Sequence, residues 1–308
     1  MADFRDDADP NADVWFRYTR YLETAGRSPR TRQSYTASCQ LLADRCKGAD
    51  LLNATREDIQ AFLAEQKRLH SHGTVLVRFR SIRAFHNWAK REDWITESPM
   101  NGMPVPKGPR KLVKVPETVE LRALLATCDP KTFDGIRDLA LLRLMIDTGM
   151  RVSEAAGLTV GDINTRTDHV LIHGKGGADR NVSYSDTTGS AIARYLRARR
   201  NHPAAARDEL WLGNRFGVHA GSRTVALTAS GIQQLLGRRS AKAGIGRLHP
   251  HMLRHWSASE HMSKGLDAGD MMERFGWASF AMTRVYAKDT AARRSNEHAR
   301  ALAIGDLI

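Results

Sequence analysis

Residues 249–256 read HPHMLRHW, and residues 275–286 read FGWASFAMTRVY. In the first stretch His251 and Arg254 stand three residues apart, so on a helix they share one face and reach the same anionic group. His251 and His255 also have the i,i+4 spacing of a pair of metal ligands, with His249 nearby. No HExxH pattern and no convergent cysteine or carboxylate set accompanies them, which weighs against a metal. A core histidine satisfied by backbone is a third reading, but it leaves Arg254 unexplained. Upstream, residues 148–158 read TGMRVSEAAGL. Gly149 ends a helix, so Arg151 projects from a fixed element end. Alone, such an arginine reads as a surface ion-pair partner. Together, Arg151 and Arg254 supply two guanidiniums that fork onto nonbridging phosphate oxygens, a geometry lysine does not match. Glu154 fits three readings: orienting Arg151, supporting a histidine, or a simple i,i+3 pair.

Residues 173–180, HGKGGADR, place Lys175 in a glycine-rich turn. The turn lacks the GxxxxGK[ST] spacing of a nucleotide-binding phosphate loop. A lysine at a hairpin tip is ordinarily solvated. Arg180 closes the turn and is read as a backbone-phosphate contact. Of the six tyrosines, Tyr18, Tyr21, Tyr35 and Tyr195 lie in helical apolar patterns and Tyr184 in a strand, so all five read as packing residues. Tyr286 stands apart at the end of the second stretch.

The chain's 308 residues suggest two domains, and 42% hydrophobic with 26% charged residues is the balance of a globular protein. Forty-seven lysines and arginines against 34 acidic residues leave a net charge of +13, which points to a polyanionic partner. No uninterrupted apolar run approaches the roughly 20 residues that span a bilayer. The opening MADFRDDADPNAD is acidic and resembles neither a transit peptide nor a secretory signal. Cys39, Cys46 and Cys128 form no CxxC pair and read as reduced thiols.

After an acidic tail over residues 1–10, the pattern is helical over 11–97. Val14, Tyr18, Tyr21 and Leu22 recur at helical spacing before Gly26. Ser28-Pro29 reads as an N-cap and first-turn proline, and Thr55 with Asp58 as a capping box. A further helix carries Leu76, Phe79, Ile82, Phe85 and Trp88, interleaved with Arg78, Arg80, Arg83 and Lys90. Those cations suit a solvated face or contacts to a nucleic-acid backbone. The net charge alone leaves DNA, RNA and acidic membranes open, and with the phosphate-directed residues downstream it favours DNA backbone. Residues 98–116, SPMNGMPVPKGPRKLVKVP, form a basic, proline-rich linker whose Lys107, Arg110 and Lys111 suit a strap along phosphates. The second domain takes residues 117–308. It opens with helices marked by Val119, Leu121, Leu124 and Leu125, then Ile136, Leu139, Leu142 and Met145. DHVLIHG and NVSYS flank the glycine turn as strands, and helices follow from Thr228.

In chain order Arg151, Lys175, His251, Arg254, Trp277 and Tyr286 resemble the active-site pattern of the tyrosine recombinases, the phage-integrase family. The motifs are specific because separated segments match in order, and the likeness covers almost the whole chain. It implies a mainly α fold with a small β-sheet in the catalytic domain: an N-terminal SAM-like four-helix core-binding domain, then the tyrosine-recombinase catalytic domain. Tyr286 then takes the place of the nucleophile that forms a 3′-phosphotyrosyl link. Lys175 is the acid for the departing 5′ oxygen, Arg151 and Arg254 hold the charged transition state, and His251 manages the tyrosine proton. One departure is Trp277, where histidine is commoner. Cre-like members also carry tryptophan there, and its N–H can donate to phosphate but cannot shuttle a proton.

The likeness implies double-stranded DNA as substrate and a homotetramer on two DNA sites passing through a Holliday junction. It requires neither metal nor ATP, and it places the chain in the cytoplasm with the nucleoid. A second recombinase or an accessory DNA-bending protein remains open as a partner. The first core helix starts close to the N-terminus, so no arm-binding domain is expected, which is closer to Xer and Cre than to lambda integrase. The apolar C-terminal end suits burial against its own catalytic domain or docking on a neighbouring protomer, and the likeness implies the latter. A non-catalytic regulator on this fold would lack Tyr286 or an arginine. A type IB topoisomerase uses similar residues as a monomer, and the short first domain weighs against it.

Overall fold

The computed structural model describes residues 11–46, 50–108, 115–174, 177–213, 226–283, 299–300, 302–303 and 306. The chain divides into two compact units, Met1–Lys111 and Leu112–Ile308.

The first unit is built of α1 (Ala12–Thr24), α2 (Pro29–Arg45), α3 (Arg56–Leu69) and α4 (His72–Arg91), with a 3₁₀ turn at Leu51–Asn53. Local chemistry sets the starts. The Ser28 hydroxyl accepts from Thr31 N–H ahead of Pro29, which lacks the N–H a first turn leaves unpaired anyway. At α3 the Thr55 hydroxyl accepts from Asp58 N–H while the Asp58 carboxylate accepts from Thr55 N–H at 2.9 Å. Val14, Tyr18 and Leu22 from α1 meet Phe79, Ile82, Phe85 and Trp88 from α4 in one apolar core. Tyr18 meets Phe85 edge-on at 5.2 Å. Leu76 is only half-buried, and Val75 takes its place on the inner face.

The second unit holds α5 (Thr118–Ala126), α6 (Phe133–Thr148), α7 (Val152–Gly157), α8 (Asp186–Arg200), α9 (Ala229–Lys242), α10 (Pro250–Ser263) and α11 (Ala268–Phe275). Between α7 and α8 runs an antiparallel sheet of β1 (Ile163–Asn164), β2 (His169–Ile172) and β3 (Arg180–Ser183), in that spatial order. The register pairs Val170 with Val182 and Ile172 with Arg180. Helix α6 packs against both α8 and α10 and is buried on most sides. It therefore carries charge inward: Asp138 pairs with Arg137 and with Arg239 of α9, each at 2.7 Å. Val119, grouped with the inner face of α5 from its spacing, lies on the outside. Strand β1, two residues long, is an element that the sequence pattern did not mark. A smaller apolar cluster, Ala258, Met262, Met271, Phe275 and Trp277, seats α11 on α10. Among the described residues no helix is long and apolar enough to cross a membrane.

Candidate active site

The site grows from the end of α6. Gly149 takes φ +63, the left-handed turn that closes a helix, and a β-carbon there would lie 2.2 Å from the Phe275 ring. The chain then turns into α7 with Arg151 as its N-cap residue. The Glu154 carboxylate accepts from the Arg151 backbone N–H at 2.7 Å and from its Nη1 at 2.8 Å. Glu154 is 5% exposed as a side chain, whereas Arg151 is 41% exposed and open to a ligand.

Arg180 completes the set around Glu154. Its Nη1 and Nη2 donate to the two carboxylate oxygens at 3.2 and 2.8 Å, and its Nε donates to the Arg274 carbonyl at 3.0 Å. Burial pushes the Glu154 carboxyl up, but hydrogen bonds from Arg180 and Arg151, with the charge of Arg180, outweigh it and bring the pKa to about 2. Glu154 is an anion at any physiological pH.

Helix α10 begins with His249 as N-cap and Pro250 in its first turn. His251 is exposed in that turn. One turn further Arg254 is 6% exposed: Nη1 donates to the Gly149 carbonyl at 2.7 Å and Nη2 to the Phe275 carbonyl at 2.6 Å. Its guanidinium also lies over the Phe275 and Trp277 rings at 5.3 and 5.9 Å. Helix α11 stops at Gly276, φ +59, where Trp277 N–H reaches back to the Met272 carbonyl at 3.0 Å. The Trp277 ring then stacks on Phe275 at 5.0 Å.

Arg151, Glu154, Arg180 and Trp277 line one cleft of about 970 Å³, as do His173 and Asp179 of the β2–β3 hairpin. Arg254 bridges Gly149 before Arg151 to Phe275 before Trp277, so the two segments are tied by one guanidinium. His251 is not among the residues that line this cleft. Lys175 and Tyr286 lie outside the described residues; Gly174, Ala178, Ala278 and Phe280, near them in sequence, line the cleft.

Residues 116–293 match the model of the phage integrase family, and residues 16–93 match its N-terminal SAM-like domain. The chain belongs to the phage integrase family. Among curated relatives it is 32% identical over 240 residues to tyrosine recombinase XerC of Bacillus subtilis (strain 168), spanning 76% of each chain. It is 29% identical over 290 residues to XerC of Lacticaseibacillus casei (strain BL23), over 91% of this chain and 95% of that one. Two solved structures share the fold. The XerH site-specific recombinase bound to palindromic difH substrate superposes with a TM-score of 0.72 at 19% identity, over 98% of this chain and 91% of that one. A lambda integrase tetramer bound to a Holliday junction gives 0.69 at 16% identity, over 91% and 78%.

Within this integrase chain some side chains sit differently from their reading in sequence. Arg180, read as a phosphate contact, is spent on Glu154 and on the end of α11 and is 4% exposed. The signal was in the strand alternation: Arg180 and Val182 face inward, Asn181 and Ser183 outward. In the SAM-like unit, Arg83 donates to the Met103 carbonyl at 2.6 Å and packs on Phe79, so it braces its own fold rather than standing free for DNA. Arg80, Lys90 and Lys107 are exposed, and Arg78 is half-buried. Arg110 and Lys111 lie outside the described residues.

The sequence reading missed His173. Its Nδ1 meets Asp179 at 2.8 Å and its Nε2 meets Asp162 at 3.0 Å, pinning the hairpin to the turn before β1. Only the imidazolium donates from both nitrogens. The Asp179 hydrogen bond, then that of Asp162, raises its pKa.

Proposed function

We propose that this tyrosine recombinase cuts and rejoins duplex DNA at specific sites through Tyr286, using Arg151, Lys175, His251, Arg254 and Trp277. The observation that carries the reading is the bridge formed by Arg254. It joins the backbone before Arg151 to the backbone before Trp277, and these two residues, far apart in sequence, both line one cleft. A guanidinium whose plane is held before substrate arrives stabilises developing charge without reorganising.

In this mechanism the Tyr286 oxygen attacks phosphorus and the bond to the 5′ oxygen breaks. Lys175 donates the proton that oxygen takes up, and His251 receives the proton of tyrosine. Arg151 and Arg254 hold the nonbridging oxygens, and Trp277 N–H is a further donor. The 3′-phosphotyrosyl link keeps the bond energy, so a 5′-hydroxyl of a second duplex reverses the reaction without ATP or a metal ion. The DNA complexes and Holliday-junction tetramer of the structural neighbours support a tetramer on two sites. Arg78, Arg80, Lys90, Lys107, Arg110 and Lys111 are the proposed backbone contacts, and the working compartment is the cytoplasm.

The deciding experiment is Tyr286→Phe. The variant keeps the ring, binds a duplex that the wild type enriches by covalent trapping from a randomised library, and forms no denaturant-stable adduct with it. An adduct in this variant removes Tyr286 from its role.

A further inference from the structure

Arg180 sits between two parts of the site that the chain itself does not connect. On one side it grips both oxygens of Glu154, whose carboxylate also holds the backbone N–H and Nη1 of Arg151. On the other it donates to the Arg274 carbonyl, while Arg254 takes the next carbonyl, that of Phe275. The last carbonyls of a helix have no partner within it, so two arginines cap the end of α11 at adjacent residues. The fit is close. A β-carbon on Gly276 would lie 3.1 Å from Arg180 Nη1, and Gly276 is the residue that delivers Trp277.

We propose that Arg180 is a positioning residue that locks the carboxylate orienting Arg151 to the turn presenting Trp277, so that both sides of the cleft hold one geometry. The inference rests on the proposed function and assigns Arg180 no contact with DNA. The groups facing Glu154 are Arg151 on its own turn and Arg180 on β3, with His173 and Asp179 of the hairpin and Glu273 of α11 around the same cleft. Of these, Arg180 contributes most to holding Glu154 ionised against its burial. Without it, Glu154 takes up a proton at higher pH and releases Arg151.

The test uses the full chain with Arg180→Gln and Arg180→Lys. Its probe is a nicked duplex of the sequence that the wild type enriches by covalent trapping, so that the adduct accumulates. Single-turnover adduct formation is followed against pH, and equilibrium binding against salt. Loss of register between catalytic groups costs about 100-fold in rate, and that fall is expected for Arg180→Gln with affinity and salt dependence unchanged. The acid limb of its rate profile is expected to move to higher pH. Arg180→Lys, which returns the charge but not the fork, should bring the limb part of the way back. A wild-type rate and pH profile in either folded variant overturns the proposal. So does weaker binding with a shallower salt slope, the mark of a lost phosphate contact. If Arg180→Gln does not fold, the profile of Arg180→Lys decides. If the wild type yields no Tyr286-dependent adduct from the library, the proposed function falls, and this inference with it.

Discussion

Replacing Arg254 by lysine keeps the charge and removes the fork. One ammonium cannot hold the carbonyls of Gly149 and Phe275 together as the guanidinium does at 2.7 and 2.6 Å. A buried carbonyl left without its donor costs about 1–3 kcal/mol, so the melting temperature should fall. Cleavage should fall further, by the about 2.7–4 kcal/mol that a lost oxyanion-type donor is worth. Single-turnover cleavage of the trapped site measures it, and near-normal cleavage in a less stable protein would make Arg254 a structural residue only. At this scale the family's pattern was legible, because residue type and order carry it; of the residues it marks, Arg151 and Trp277 line the cleft and His251 does not. The partnerships beyond that of Arg151 with Glu154 were not legible. Glu154 left three readings open until Arg180, 26 positions away, was seen to share it. Arg180 itself misled because a glycine-rich turn suggests surface, whereas the alternation of β3 turns it inward.

The connection from α6 to α7 depends on one backbone angle. At Gly149 any other residue meets both the left-handed penalty, about 1–2 kcal/mol, and the Phe275 ring. Gly149→Ala should therefore lower the urea midpoint and loosen α11 together with α6, read by hydrogen exchange in both helices. Wild-type stability would refute this coupling. The β2–β3 hairpin carries a pH dependence opposite in sign to that of Glu154, whose pKa is lowered. His173 is raised above the ordinary histidine value, near 6.5, by Asp179 and then Asp162. Its contribution is complete below that value and is lost as pH rises through the raised one. An NMR titration of His173 should show the upward shift, and Asp179→Asn should reduce it; an unchanged titration in that variant would sink the clamp. Elements were legible where a cap announced them, as at Ser28 and Thr55. They were not where packing decides. A two-residue β1 has no periodicity, and the buried Arg137 and Asp138 of α6 follow no amphipathic pattern, because that helix is enclosed on most sides.

For the whole molecule, the end of the chain offers a test of assembly. Leu302 is 65% exposed, and Ile304, Leu307 and Ile308 follow it. We expect this segment to dock on a neighbouring protomer, a head-to-tail contact that closes into a ring. A chain ending at Ser295 should then bind a single site normally yet form no synaptic complex on native gels. Normal synapsis and recombination would place the segment against its own unit instead. The two apolar cores carry a separate consequence. Among the described residues the first closes with Met103 and the second opens at Leu121, and neither includes residues of the other. A junction made between those positions divides neither core. Hybrids that join the first unit of one relative to the second unit of another should therefore fold, and the half-site each hybrid prefers would reveal which parent supplied the base-reading surface.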